Sequence, residues 1–296
     1  MASRSCVFKL YLVRHGETDY NVEGRAQGPM PIPLNRNGLE QAHMLGQSLI
    51  ERFPFGGPKP VHLVVFSSFL QAQQTGEAVF EAFKAEAQKA GKEPPEFLLM
   101  PEFGEMHYGD LIGQLLKDVG HVVRELKERQ WVDGDTSNPE RNCDAALPGK
   151  EGESFSSVIH RLRLGFLKII QTFQDKGKLD NTSNPCEEIH VIVATHSQVI
   201  EAILVHLRAF SYLDAEERTK NKNCTMTTIS CSLSPFQSNP EGHPEDQKAE
   251  NGHAPPQKEL PPLEIPEDPH SLSLSVEAFF EDLNPGVERL GAHTIW

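Results

Sequence analysis

The chain predicts an α/β fold of three layers, with helices on both faces of a mostly parallel central sheet. Three observations carry this expectation. Residues 7–13, 61–66 and 189–194 are apolar runs of the length of buried strands. Each is followed by a stretch whose apolar residues recur at helical spacing. Strand and helix alternating in this way place successive strands parallel, with the crossover helices covering the sheet. At 296 residues the chain is long enough for a full core and exceeds the commonest domain size. One domain plus additional matter is therefore the default.

The elements follow in order. Val7, Leu10, Leu12 and Val13 mark the first strand, which empties into Arg14-His15-Gly16-Glu17-Thr18. A glycine at that point lets the backbone turn and approach a ligand closely. Asn37 followed by Glu40 has the pattern of a helix N-cap, and Leu39, Ala42, Leu45 and Leu49 then keep helical spacing. The second strand, 61–66, leads into a helix over about 69–89. Residues 133–150, rich in Asn, Asp, Gly and Pro, read as a loop near the site. Phe155, Val158, Ile159, Leu162, Phe166, Ile169, Ile170 and Phe173 line one face of a long helix. The third strand, 189–194, precedes a helix with Val199, Ile200, Ile203, Leu204 and Leu207 on its core face.

Beyond that the character changes. In residues 235–269 Pro, Glu, His, Asn and Gln dominate and large apolar residues almost vanish, so disorder is expected. Leu272, Leu274 and Val276 then alternate with serines. The organisation read from this is a main domain over residues 1–234, a Pro/Glu-rich insertion over 235–270, and a C-terminal segment over 271–296.

Composition excludes several functions. A net charge of −14 leaves little material for the basic face that nucleic acid or an anionic membrane requires. The five cysteines are odd in number and lack CxxC spacing, as expected of reduced thiols and not of a disulfide frame or zinc site. Neither an apolar signal core nor a membrane-length stretch is present, so a cytoplasmic protein without membrane partners is expected.

The chemistry concentrates where the first strand ends. An arginine fork and an imidazole at the carboxyl end of such a strand lie where open α/β sheets bind anions. Phosphoryl transfer needs positive charge on the non-bridging oxygens and a nucleophile to carry the group. Arg14 and His15 supply both, although the same residues also suit a solvated turn.

The longer pattern separates these readings. Leu12-Val13-Arg14-His15-Gly16-Glu17-Thr18-Asp19-Tyr20-Asn21 continues into Gly24-Arg25-Ala26-Gln27-Gly28, then Pro33-Leu34 and Gly38-Leu39-Glu40-Gln41-Ala42. Ser67-Ser68, Glu105-Met106-His107-Tyr108-Gly109, Gly152-Glu153-Ser154 with Arg161, and Ala194-Thr195-His196-Ser197 follow in order. Together, over about residues 7–233, they resemble the histidine phosphatase (phosphoglycerate mutase-like) superfamily. The resemblance implies a phosphoglycerate mutase-like fold. It also implies a closing hairpin of residues 225–232 with about 272–280, the other reading being a disordered tail after Pro235.

For function, the resemblance implies His15 as nucleophile, with Arg14 and the second histidine, His196, around the phosphoryl group. Neutral imidazole attacks phosphorus without a metal or an added base, so no cofactor and no metal are called for. Glu105 is the candidate proton donor, with Glu102 as competitor; the spacing to Gly109 and Gly113 favours Glu105. Asn21, Gln27, Gly28 and Tyr108 match substrate-side positions, while Arg25, Glu153 and Arg161 fit equally well as surface ion pairs.

One departure stands out. Where the family has SSxLxRAxQT, this chain has Ser67-Ser68-Phe69-Leu70-Gln71-Ala72-Gln73-Gln74-Thr75, one residue short and without the arginine. Counting back from Thr75 puts Gln71 at its place; counting forward from Ser67 puts Ala72 there. A shortened helix start would turn later side chains by about 100° unless a loop absorbs it. Met106 also stands where the mutase branch has arginine. The implied activity is hydrolysis of a phosphate monoester, on a small phosphorylated substrate or a phosphoprotein. A mutase-type phosphotransferase and a weakly active or inactive phosphate-binding module are the alternatives.

Overall fold

A computed structural model gives the architecture and describes residues 6–131, 146–176, 188–206, 221–235 and 270–282. The strands are β1 (Cys6–Arg14), β2 (Val61–Phe66), β3 (Glu96–Leu99), β4 (Ile189–Thr195), β5 (Thr225–Pro235) and β6 (His270–Asp282). They form one sheet in the order β3-β2-β4-β1-β5-β6. β1 to β4 run parallel, while β5 runs antiparallel to both β1 and β6. The three strands legible as apolar runs, β2, β4 and β1, are contiguous in the middle, where both faces are covered.

The helices are α1 (Asp19–Glu23), α2 (Arg36–Arg52), α3 (Leu70–Ala90), α4 (Leu116–Trp131), α5 (Phe155–Gln174) and α6 (Ser197–His206). Alternate residues of a strand face opposite sides of the sheet, and here they feed two separate cores. Leu10, Leu12, Leu63, Val65, Val191 and Val193 pack with Val119, Val158, Leu162 and Ile200 of α4, α5 and α6. Tyr11, Val13, Val64, Phe66 and Ile192 pack with Leu45, Leu49, Val79 and Phe83 of α2 and α3. Two cores divided by a sheet make the three layers.

Two local expectations are corrected. α2 is capped by Asn35, whose side chain accepts from Gly38 N at 2.8 Å, and not by Asn37. Starting the helix there leaves Leu39 about half exposed (51%) instead of in the core. The buried face of α2 is Gly38, Gln41, Ala42, Leu45, Gly46 and Leu49. β3 and α4 went unread, because β3 exposes most of its side chains and carries no period.

β5 and β6 pair from Thr225↔Asp282 to Pro235↔His270, which is the hairpin and not an unstructured tail. The expected disorder over 236–269 falls outside the described residues, as do Leu207 and positions 132–145 of the predicted loop. The described end of that loop packs near Tyr108, with Asp110 N donating to Pro148 O at 2.8 Å and Leu147 N to Glu153 O at 3.1 Å.

Candidate active site

The parallel pairing of β1 and β4 ends on Arg14↔Thr195, so the next residues, His15 and His196, emerge side by side at the carboxyl edge. Their ring centroids lie 5.2 Å apart, and both side chains are buried. His15 is tightly held. Its backbone N donates to Thr195 O at 2.9 Å, and its carbonyl accepts from Asn223 Nδ2 at 2.8 Å. Its Nδ1 lies 2.7 Å from Gly16 O. A carbonyl only accepts, so Nδ1 carries the proton and Nε2 keeps the lone pair. Burial, then the neighbouring Arg14 charge, push the imidazole down to about 3, against the opposing effect of the Gly16 carbonyl.

The glycine after the strand serves a purpose the sequence did not suggest. A Cβ on Gly16 would sit 2.5 Å from Gly38 O, and one on Gly38 would sit 2.0 Å from Glu17 O. The two glycines let the His15 turn press onto the first turn of α2; the close neighbour is backbone. Gly16 N is then free to donate to Thr75 Oγ1 at 3.0 Å.

Arg14 is buried, and its Nη1 donates to Asn221 O. Burial lowers its pKa, with Glu105 and Glu201 opposing, and a guanidinium remains charged regardless. His196 Nε2 lies 2.7 Å from Ser67 Oγ, and the Phe69 ring meets the imidazole edge-on with centroids 5.2 Å apart. Burial, then His15, drive the His196 imidazole well below its ordinary range.

Glu105 arrives on the loop after a 3-10 turn, Pro101–Phe103, which Thr195 Oγ1 pins by donating to Phe103 O at 2.7 Å. One carboxylate oxygen accepts from Met106 N at 2.9 Å. The other lies 3.5 Å from both Gln198 N and Ser197 Oγ, at the start of α6. Burial raises the carboxyl to about 7, with the Met106 and Gln198 amides and the Arg14 charge pulling the other way. The competing Glu102 ion-pairs with Lys168 and offers its carbonyl to Arg161.

The remaining candidates divide. Asn21 closes the capping box of α1, its Oδ1 accepting from Thr18 N and Thr18 Oγ1, both at 3.1 Å. Gln27 Oε1 accepts from Thr18 Oγ1 at 3.2 Å. Gly28 abuts Ile112, which a Cβ would meet at 2.6 Å. Tyr108 is buried in the larger core and near enough to Arg14 to influence its charge. Asn21, Gln27 and Gly28 thus shape the loop beside the histidines.

Arg25 pairs with Glu23 at the surface and donates to Gly113 O. Arg161 grips Glu153 at 2.8 and 3.1 Å, while Glu153 also accepts from His107 N at 2.8 Å. This strut stands behind the Glu105 loop.

Gln71 lies in the first turn of α3 and is buried, with no partner for either amide atom. Thr75, one turn on, accepts from Gly16 N and donates to Gln71 O at 2.8 Å. Thr75 is thereby tied to the site, and Gln71, one turn earlier, shares its face of α3. Sequence reading missed Asn221, Asn223, Gln198 and Glu201. Asn221, Asn223 and Gln198 reach Arg14, His15 and Glu105 across long stretches of chain, and such contacts leave no pattern. Among the described residues no group of three or more His, Cys, Asp or Glu is placed to hold a metal ion, and no helix is long and apolar enough to cross a membrane.

Residues 10–238 match the sequence profile of the histidine phosphatase superfamily (branch 1). The adenosylcobalamin/alpha-ribazole phosphatase of Escherichia coli is 33% identical over 202 residues, covering 67% of this chain and 78% of that protein. A metal-independent phosphoserine phosphatase of Arabidopsis thaliana is 28% identical over 209 residues, covering 68% and 69%. A phosphoglycerate mutase structure from Bacillus anthracis superposes with a TM-score of 0.53 at 21% identity, over 76% of this chain and 88% of that one. At that identity the likeness speaks for the fold.

Proposed function

Because the chain belongs to the histidine phosphatase superfamily, we propose that it is a phosphatase working through a phosphohistidine on His15. The observation that carries this reading is the tautomer of His15: a neutral imidazole with Nδ1 tied to Gly16 O and Nε2 available. Nε2 attacks the phosphorus of a monoester; the P–N bond forms as the bond to the ester oxygen breaks. Glu105, protonated up to about pH 7, gives its proton to the departing alkoxide. Water then attacks the phosphohistidine while the Glu105 carboxylate takes its proton. Phosphate leaves and His15 returns to the neutral form. Arg14 and His196 stabilise charge on the non-bridging oxygens throughout.

Hydrolysis is favoured over phosphoryl return to substrate. Met106 is buried in the apolar core, so the position supplies no cation to hold a second acidic group. The relatives' names, phosphatases among them, support the coarse reading. The substrate class is a small phosphate ester or a phosphoprotein, and no metal is required. A phosphate-ester panel assayed with the wild-type protein and with His15→Ala tests this. Brief incubation with labelled substrate and an alkaline quench should trap an acid-labile adduct on His15. Full activity in His15→Ala, or strict dependence on an added divalent metal, overturns the mechanism.

A further inference from the structure

The first turn of α3 carries information beyond hydrolysis in general. Its N-cap residue, Phe69, makes no side-chain cap bond; the Ala72 and Gln73 amides donate to Phe69 O, which leaves those of Leu70 and Gln71 without a capping side chain at the start of this 21-residue helix. In the same turn Gln71 is fully buried, and neither Oε1 nor Nε2 has a partner. The turn is fixed against the two histidines from both sides: Thr75 holds Gly16, and Phe69 lies on the His196 ring. Arg14 Nε and His196 Nδ1 are likewise buried without partners. Buried polar atoms are ordinarily matched, so unmatched ones on residues that the Thr75–Gly16 and Phe69–His196 contacts bring into one neighbourhood point to a ligand that supplies the partners.

The kind of partner follows from the atoms. Arg14 Nε and Gln71 Nε2 are donors and suit phosphoryl oxygens. Gln71 Oε1 is only an acceptor and asks for a donor in return. Exchanging the two ends of the amide changes nothing, because both are unmatched. A fully ionised phosphoryl group offers acceptors alone; a singly protonated one offers one O–H.

The charges agree. The groups that act on the site are Arg14 and His15 at the end of β1, Glu105 and Tyr108 from the acid loop, His196 just before α6 and Glu201 within it. Arg161 of α5 acts on Glu105 and His196, and Cys224 on Arg14. With both imidazoles neutral, the buried cation the anion meets among the described residues is Arg14, with the Arg161 charge, paired to Glu153, also acting on the site.

Resting on the phosphatase reading above, we propose that Gln71 and the uncapped start of α3 select the monoanion of the substrate, with the P–O–H donating to the Gln71 amide oxygen. A phosphate ester has its second ionisation at about pH 6, so the favoured form is the one prevailing in mildly acidic conditions.

Equilibrium binding to the intact protein tests this without turnover. Methylphosphonate has a P–C bond and is not hydrolysed; it is a monoanion with one O–H at about pH 5.5 and a dianion at about pH 9. Methanesulfonate carries one negative charge and no O–H at either pH, so it reports any change in repulsion from Glu105. At about pH 5.5, methylphosphonate should bind about tenfold tighter than methanesulfonate, and that ratio should collapse at about pH 9. Gln71→Met should remove the preference, and Gln71→Arg should reverse it in favour of the dianion. Equal binding of the two probes at acid pH, a ratio that persists at alkaline pH, a preference retained in Gln71→Met, or no binding of either probe overturns the proposal. Absence of ester hydrolysis with the binding pattern intact would instead fault the phosphatase mechanism.

Discussion

Two imidazole clusters, one buried and one partly so, occupy opposite ends of the central strands, and they differ in the partners left unmatched around them. At the amino end, His190 of β4 has Nδ1 2.9 Å from the Tyr11 hydroxyl, and its backbone N donates to His62 Nδ1 at 3.1 Å. The His62 and His190 rings stack with centroids 6.2 Å apart. At the carboxyl end His15 and His196 stand beside Arg14. Burial depresses His190 to about 4 and, as the leading cause, His15 to about 3. A displaced pKa therefore nominates both ends alike. Among the described residues the carboxyl end leaves Arg14 Nε, His196 Nδ1 and both Gln71 amide atoms without partners, whereas beside Tyr11 the unmatched atom is the Thr228 hydroxyl. What sets the proposed catalytic pair of histidines apart from the other is the larger unmatched hydrogen-bonding capacity around it, not depressed basicity.

The largest effect that sharpens this contrast is expected for His15→Ala, which should lower kcat on a good phosphate ester by about 10⁴–10⁶-fold. Next is Glu105→Gln, with kcat reduced by about 10²–10⁴-fold. Wild-type kcat should fall as pH rises through about 7, where the acid loses its proton, and this limb should vanish in the variant. The same carboxyl makes a stability prediction. Its folded pKa of about 7 exceeds the ordinary 4.5, so the unfolded chain gives up the proton first. The stabilisation is complete below pH 4.5 and lost as pH rises through 7. Thermal melts at about pH 8 should show Glu105→Gln more stable than wild type by about 1–3 kcal/mol, and the gap should close toward acid.

Arg161→Ala is expected to have a middling effect, since it reaches the acid through the Glu153 strut and through its charge but not by a hydrogen bond. A kcat/KM reduced by about 10–10²-fold, with strong non-additivity against Glu153→Gln, would mark a positioning residue. Smallest in activity is Tyr11→Phe at the opposite end. It leaves His190 Nδ1 without its partner and should lower the free energy of unfolding by about 1–2 kcal/mol in a denaturant titration, with kcat/KM within about twofold of wild type. A large catalytic loss there would break the contrast between the ends.

The sequence was most legible where one segment does one job. β1, β2 and β4 are buried on both faces and read as apolar runs; Arg14, His15, Glu105 and His196 sit in short contiguous motifs. Asn21 shows the limit of motif reading: its position was legible, but its capping of α1 and its 3.3 Å contact from Asn223 were not. The start of α2 was misread because Asn35 and Asn37 are equally good caps in isolation. The closeness of Gly16 to Gly38, a tertiary fact, decides between them. Asn221 meets Arg14 through a backbone carbonyl, which any residue type provides, so nothing in the side-chain pattern could announce it.

The position of β1 in the sheet has a consequence for biosynthesis. This strand is made first, yet it lies between β4 and β5, with Leu10 opposite Val191 and Ile229. Synthesis at about 5–20 residues per second leaves its parallel partner unmade for roughly 10–35 s after Leu10 itself is joined to the chain. Through that interval an apolar strand leading into His15 has neither neighbour to pair with. The nascent chain should therefore engage holding chaperones early and release them only after β4 emerges. A ribosome-stalled series truncated on either side of residue 195 would place that release.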